Sequence, residues 1–315
     1  RTVKLKIFRN FWGFSVPVDR RAANLYEEGR MLSLLMMRSF SYRLYPSKVH
    51  RRRLHTIFSA CCHAYNELLC LSHDAYTFGG VRLSKFEYDA FLKRSVPGVH
   101  SQVVQNVSDR VAKAYNNFYR RVRDPREKKK GFPRHKPFVS SITYPQSGYK
   151  VVANKLVVSR IGSIPLIMHR PLQGRMKTLT IKKNRACQWH AIFCCDDQNP
   201  IPVHPSKHSV GLDLGITRFA TLSDGTILTN PRCLIRSEVF LKRAQRNLMR
   251  KKKGSRNHAK ARLRLSRMHL RIRNQRADFL HQSSHRLTLQ YQHIMVEDLL
   301  IKNMVKNHRF SKHIH

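Results

Sequence analysis

"SVGLDLGITRFATLSDG", residues 209–225, is the stretch on which the reading of this sequence turns. Its opening, "SVGLDLGI", is an apolar run interrupted by one carboxylate, Asp213, and reads as a buried-type strand. "TRFATLS" reads as a second strand, "DG" (224–225) as a hairpin turn and "TILTN" as a third strand. The chain has 61 Lys+Arg against 18 Asp+Glu, a formal net charge of +43, so an acid set in an apolar strand needs an explanation. Gly211 and Gly215 flank Asp213 without bulk, which would let a phosphate approach closely.

Downstream, residues 236–276 hold 16 Lys+Arg and one acid in 41 residues. Gly254 splits this run into two helical arms. Leu241, Ala244 and Leu248 on one, and Leu265, Met268 and Ile272 on the other, keep a face packable. The expected element is a basic helical hairpin over about residues 236–290. A solvated charge run is the usual fate of such a helix. The imbalance here is too large for salt-bridge lacing, which favours a channel that tracks phosphates without reading bases. Arg246, Arg250, Lys251, Lys252, Lys253, Arg256, Lys260 and Arg264 are its candidate contacts. "HIMVEDL" then reads as another apolar strand, ending in Glu297 and Asp298.

A meander with an acid in its first strand, a helical connection and a strand ending in an acid is the layout of an RNase H-like core. In-line attack of water on a phosphodiester is helped by two Mg²⁺ ions about 3.5–4 Å apart. Such hard cations take carboxylate oxygens, which strands hold more rigidly than loops. Asp213 and Glu297 are the candidate catalytic and metal-binding acids. Asp213 also reads as a turn acid or an ion-pair partner, and Glu297 as a helix N-cap. Asp298 reads as a cap or a surface acid, and Asp224 as part of the hairpin turn.

Upstream, Phe40, Tyr42 and Leu44 alternate with polar residues in a strand stopped by Pro46. Apolar residues at helical spacing predict one helix from about Lys48 and a second through Val103, Val107, Val111, Tyr115 and Phe118. A basic loop, "REKKKGFPRHKP", follows. Short β runs from Ser140 to Cys195 predict a small barrel or curled sheet, and three prolines within 196–209 read as a linker. Tyr42, Arg43 and Tyr45 suit stacking on unpaired bases with backbone contact, Tyr42 reading equally as barrel core. Asn66, Gln102, Gln105 and Asn117 are amides on otherwise apolar helices. They would read base edges or form caps and interhelical hydrogen bonds. Arg134 and Lys136 would bind phosphate or belong to a plain basic loop.

At 315 residues and 41% hydrophobic content the chain can build two or three cored domains. A charge excess this large opposes compaction unless a polyanion neutralises it, which points to nucleic acid. The charge runs through the whole chain, against a membrane-surface role, and no run of eighteen apolar residues predicts a membrane span. The seven cysteines show no CxxC spacing and read as reduced thiols with no zinc site among them. The 18 histidines read as extra nucleic-acid contacts and not as metal ligands. Residues 1–36 have no evident place in this layout and read as an extraneous N-terminal extension. The chain begins at Arg1 and runs to His315 in a basic segment, which reads as a C-terminally incomplete sequence.

"GLDLGITRFATLSDGTILTNPR", the "RAQRNLMRKKKGSRNHAKARLRLSRMHLRIRNQRADFLHQSSHRL" arm and "IMVEDLLIKNMVKNHR" resemble TnpB, the OrfB-type protein of bacterial insertion sequences and a relative of the type V CRISPR effectors. "SFSYRLYPS", "AYNELL", "AKAYNNFYRR", "GFPRHK" and "GSIPLIMHRPLQGRMKTLTIKK" fall in the same family order, so the likeness covers residues 37–315. The resemblance implies an α+β multidomain protein: a wedge-like β-barrel from residues 37–46 and 138–205, an inserted helical recognition lobe at 47–137, and a partial RNase H-like (RuvC) α/β domain at 206–315. It implies an RNA-guided, Mg²⁺-dependent DNA endonuclease, a monomeric ribonucleoprotein with guide RNA and target DNA, cytoplasmic and nucleoid-associated when bound. Asp213 and Glu297 match the first two acids of the RuvC-like site. The family's zinc ribbon, with two CxxC pairs, and its last RuvC aspartate follow the "KNHR" region and are absent from this sequence. Cleavage by this chain is therefore expected to be impaired, and a nuclease-silent nucleic-acid-binding repressor or a plain basic scaffold are the competing readings.

Overall fold

Phe40, Tyr42 and Leu44 are buried while Ser39 and Ser41 are exposed, so the period-two pattern gives strand β2, Met36–Leu44. The computed structural model describes residues 5–9, 36–128, 130–197, 206–307 and 311. The chain divides into two units, one of residues Leu34–Asn199 and one of Arg1–Ser33 with Pro200–His315.

In the first unit β2 is followed by three helices, α1 (Lys48–Gly79), α2 (Lys85–Ser95) and α3 (Ser101–Arg123). Six strands come next: β3 (Ser141–Tyr144), β4 (Tyr149–Val152), β5 (Lys155–Val158), β6 (Gly162–Ile167), β7 (Arg175–Lys183) and β8 (Trp189–Asp197). The sheet order is β3-β7-β8-β2-β6-β5-β4. Its two edges, β3 and β4, are consecutive in the chain, and the rings of Tyr144 and Tyr149 meet at 6.4 Å, so the sheet nearly closes on itself. Tyr42 lies inside, 5.9 Å from Phe193 between ring centroids, and its hydroxyl donates to the Arg170 carbonyl at 3.0 Å. Tyr42 is thus barrel core, with a completely buried ring that is not presented for base stacking.

The helices pack on this barrel through Leu54, Ile57, Phe58, Val103, Val107 and Val111, all buried. Arg110 fastens α3 to β3, its guanidinium donating to the Ser141 carbonyl at 2.9 Å and to Thr143 Oγ1 at 3.0 Å. The two expected helices are joined by a third, α2, whose apolar signal is reduced to buried Tyr88 and Leu92. Its local signature is a capping box: Glu87 accepts from the Ser84 amide at 2.7 Å and Ser84 Oγ accepts from the Glu87 amide at 3.4 Å.

The basic loop after α3 is held by Asn66. Its Nδ2 donates to the Lys136 carbonyl and its Oδ1 accepts from the Lys136 amide, both at 2.9 Å. The Lys136 ammonium sits 3.5 Å from the Tyr65 ring centroid, and burial, reinforced by nearby Arg110, holds it below the ordinary lysine range.

In the second unit β9 (Ser209–Leu214), β10 (Arg218–Leu222) and β11 (Ile227–Thr229) form the expected meander. The helical hairpin follows as α4 (Cys233–Met249) and α5 (Arg256–Gln290), then β12 (His293–Glu297) and the short α6 (Ile301–Met304). The sheet order is β1-β12-β9-β10-β11, with β12 parallel to β9. Val210, Leu222, Leu287 and Ile294 are its buried cluster. A register shift between Arg218 and Ala220 marks a bulge at Phe219, whose ring meets Phe279 of α5 edge-on at 5.0 Å.

One expectation is corrected here. Residues 1–36 do not all stand outside the architecture, because β1 (Leu5–Arg9) pairs antiparallel with the full length of β12. That pairing partner lies nearly the whole chain away, beyond the reach of local patterning. Residues 1–4 and 10–35 lie outside the described residues, as do 198–205 of the expected linker.

Two outcomes follow from this packing. Burial raises the Cys61 thiol to about 11, whereas Cys70 and Cys187 are exposed. In the native chain at pH 8, Cys70 and Cys187 should label with a thiol reagent within minutes and Cys61 only on unfolding, read by mass spectrometry of tryptic peptides. Asn66→Ala should destabilise the Leu34–Asn199 unit by about 1–2 kcal/mol, since it leaves the half-buried Lys136 amide unpaired and its carbonyl with only the weak Cys62 thiol donor at 3.2 Å. Chemical denaturation measures the loss, and protease cutting within 124–137 should accelerate.

Candidate functional site

The parallel register of β9 and β12 pairs Val210 with Ile294, Gly211 with Met295 and Leu212 with Val296. Val210, Leu212, Ile294 and Val296 belong to the apolar cluster on one face of the sheet. Alternation then sends Asp213 and Glu297, one residue beyond the last pair on each strand, to the opposite face of adjacent strands. Both side chains are exposed, and among the described residues no ion pair engages either one. Asp213 is opposite Thr221 on β10 and so lies within the strand ladder, not in a turn. The glycine after it has a steric reason: a Cβ at Gly215 would stand 2.8 Å from the Arg218 carbonyl oxygen in the β9–β10 turn.

The N-cap alternative for Glu297 does not apply, since α6 starts after Leu300 and has no side-chain cap. Two carboxylates on one sheet face fit a hard divalent cation whose remaining positions are filled by water or phosphate oxygens. Among the described residues no group of three His, Cys, Asp or Glu side chains is arranged to hold a metal ion. The residues present therefore fit one such cation, not a completed two-metal set.

Asp224 does more than turn the hairpin. Its Oδ1 accepts from the Thr226 amide at 2.8 Å, closing the turn, and its Oδ2 accepts from the Tyr291 hydroxyl. The tyrosine bond, followed by the Thr226 amide, holds the Asp224 carboxyl below the usual range and raises the Tyr291 phenol.

The basic arm forms an exposed cationic surface. Arg246, Arg250, Lys251, Lys252, Lys253, Arg256, Lys260 and Arg264 are all exposed, and four of them run consecutively through the tip, where Gly254 has φ +86°. Arg256, Lys260, Arg264, Arg267 and Arg271 recur at i, i+4, i+8, i+11 and i+15, one exposed stripe about 22 Å long at 1.5 Å per residue. Ile272 is buried and Leu241, Ala244, Leu248, Leu265 and Met268 are half-buried, so the apolar face closes the hairpin and leaves the cations to solvent. Glu238, the one acid of this run, pairs with Lys242 at 2.9 Å.

In the barrel unit Tyr45 is 52% exposed and the Arg43 guanidinium lies 5.7 Å from its ring centroid, so this pair remains available to an unpaired base. Arg134 is exposed, while Asn66 and the Lys136 backbone are committed to each other. Gln102 and Asn117 are half-buried on α3 and Gln105 is exposed. Sequence reading missed Lys48, Arg51, Arg52 and Arg53, exposed in the opening turns of α1 with no acid in the first turn. Cations oppose the helix dipole at that end, and this was the signal available in "SKVHRRRL". Residues 130–195 contain no Asp or Glu at all. No helix among the described residues is long and apolar enough to cross a membrane.

Comparison with known proteins identifies the family of the chain. Residues 192–308 match the OrfB_IS605 family, described as "Probable transposase", and residues 36–80 match its "Helix-turn-helix domain". The latter segment is here a strand and one unbroken helix, Lys48–Gly79. A "Putative RNA-guided DNA endonuclease" of Streptomyces pristinaespiralis is 31% identical over 289 residues, 88% of this chain and 70% of that protein. "Putative RNA-guided DNA endonuclease InsQ" of Escherichia coli K12 is 27% identical over 282 residues, 86% of this chain and 68% of its own. A Cas12f1–sgRNA–target DNA complex shares 10% identity at a TM-score of 0.40 over 79% of each chain, too distant to carry an argument. The chain belongs to the OrfB (TnpB) family of insertion-sequence proteins, whose relatives bear the name RNA-guided DNA endonuclease.

Proposed function

We propose that this chain is an RNA-guided DNA-binding protein of an insertion sequence, with Asp213 and Glu297 as the acids of an RNase H-like hydrolytic site. The observation that carries the reading is the parallel β9–β12 pairing, which sets both carboxylates on one face of the sheet. The strand order β11-β10-β9-β12, with a helical connection before β12, supports the RNase H-like assignment.

Asp213 and Glu297 would hold Mg²⁺, which when bound supplies charge neutralisation at the scissile phosphate and a more acidic water. Asp213, within the ladder, fixes one donor rigidly, and Glu297 at the end of β12 supplies the second from the adjacent strand. The hairpin stripe tracks phosphates by charge, and Arg43 with Tyr45 suits an unpaired base of a structured RNA. Sequence discrimination would come from guide pairing and not from these contacts. Guide RNA and target DNA are the partners, and a monomeric cytoplasmic ribonucleoprotein is the assembly this reading calls for.

The second reading, a nuclease-silent binder, is favoured by the lack of a third acid beside the pair among the described residues. One experiment separates the two: cleavage of guide-matched DNA in Mg²⁺ by the chain and by Asp213→Ala. The nuclease reading expects measurable cutting that falls at least 100-fold in Asp213→Ala, about 2.7 kcal/mol of transition-state stabilisation, with guided binding unchanged. Binding without any cutting supports the silent reading, and cutting that survives Asp213→Ala removes the catalytic assignment.

The hairpin makes its own prediction. Replacing Arg256, Lys260, Arg264 and Arg267 with Gln should reduce the slope of log affinity against log salt by about 3, at roughly 0.7–0.9 per phosphate contact. An unchanged slope in a filter-binding titration would show that this stripe does not meet phosphates.

A further inference from the structure

Tyr291 is the first of the two residues between the end of α5 and the start of β12, and its contacts exceed what a connector needs. Its amide closes α5 on the Leu287 carbonyl at 3.0 Å, and its ring packs against the Val210, Leu222, Leu287 and Ile294 cluster. Its hydroxyl crosses to the β10–β11 turn and donates to Asp224, whose other oxygen holds the Thr226 amide. The same turn is stitched to the start of β9: Ser223 donates its amide to the Gly211 carbonyl at 2.9 Å, and Ser223 Oγ accepts the Gly211 amide at 3.1 Å. On the other side the Gln292 amide donates to the His208 carbonyl at 2.9 Å. One phenol thus ties the entry of β12 to the turn that anchors the entry of β9.

That tie matters because β12 enters from a 35-residue helix and meets β9 through only four paired positions. A slip of one residue would send Glu297 to the apolar face and leave Asp213 alone. We propose that Tyr291 and Asp224 form a register clasp, positioning residues that hold Glu297 beside Asp213 from the opposite end of the strands. The clasp lies toward the opposite end of the strands from the carboxylate pair, Tyr291 six residues before Glu297 and Asp224 three residues beyond Thr221, the partner of Asp213, so it acts only through the strands. The inference rests on the proposed metal-binding role of the pair, but the register itself can be read without metal.

The test uses the full chain as wild type, Tyr291→Phe, Asp224→Ala, Asp224→Asn and the Tyr291→Phe/Asp224→Ala double variant. Without metal, hydrogen exchange of the amides of residues 293–297 should quicken about 3- to 10-fold in Tyr291→Phe and Asp224→Ala, the range of one hydrogen bond, with α1 and α3 unchanged. Mn²⁺ affinity, followed by electron paramagnetic resonance, should weaken by a similar factor in the same two variants. Asp224→Asn should stay within twofold of wild type, since its carbonyl keeps the turn and its amide can donate to the tyrosine oxygen. The double variant should be no worse than either single change. Unchanged exchange at 293–297 in Tyr291→Phe overturns the clasp. So does faster local exchange with undiminished Mn²⁺ affinity, which would make the bond structural only. A wild-type chain that binds no Mn²⁺ fails the metal reading instead, and the exchange result then decides the clasp alone.

Discussion

The parallel pairing of Ser209–Leu214 with His293–Glu297 is the constraint on which the functional architecture depends. Two strands 84 residues apart in register must meet so that Val210 and Leu212 share a face with Ile294 and Val296. Packing of those four side chains, Val210 and Ile294 buried and Leu212 and Val296 half-buried, against one apolar cluster is what sends Asp213 and Glu297 together to the other face. The apolar residues choose the register and the acids inherit it. Gly215 allows the sharp turn after Asp213, and the Phe219 bulge lets α5 seat its Phe279 on the meander. The helical hairpin between the strands can then be long and cationic without disturbing the pairing.

Charge is the second organising force. The Leu34–Asn199 unit keeps its acids mostly in the helices, where Lys85 meets Asp109 at 2.6 Å and Glu87 caps α2. Its barrel segment, residues 130–195, has none. The hairpin likewise carries an uncompensated stripe along α5 and a cationic tip. Surfaces like these repel themselves and are stable as folded surfaces chiefly when a polyanion is present. The cost is accepted on the faces left to solvent, while the cores of both units are chiefly apolar, the buried acid Asp196 at the end of β8 pairing with Lys177 at 3.3 Å.

Much of this was legible because it is local. "DG" between apolar runs fixes the meander, Gly254 divides the hairpin, and the alternation of Phe40, Tyr42 and Leu44 gives a strand. What was not legible depends on partners far away in sequence. Tyr42 and Tyr45 look alike in "SYRLYP", yet one completes the barrel interior and the other stands outside, a difference set by strand register with β8 and β6. Asn66 looked equally like a base reader and a structural amide until the Lys136 backbone was brought to it across 70 residues. β1 escaped because five residues pair with a strand nearly 290 positions on, and α2 because its capping box outweighs its weak apolar spacing. The acid pair was visible as two acids in order, but only the register shows that they share a face.

The most direct test of that juxtaposition replaces Mg²⁺ by Fe²⁺ and lets locally generated hydroxyl radicals cut the polypeptide next to the bound ion. The account predicts backbone scission at two places together, within 211–215 and within 295–299, suppressed by excess Mg²⁺ and lost in Asp213→Asn. Scission confined to one of these segments, or located elsewhere in the chain, would contradict a site shared by Asp213 and Glu297.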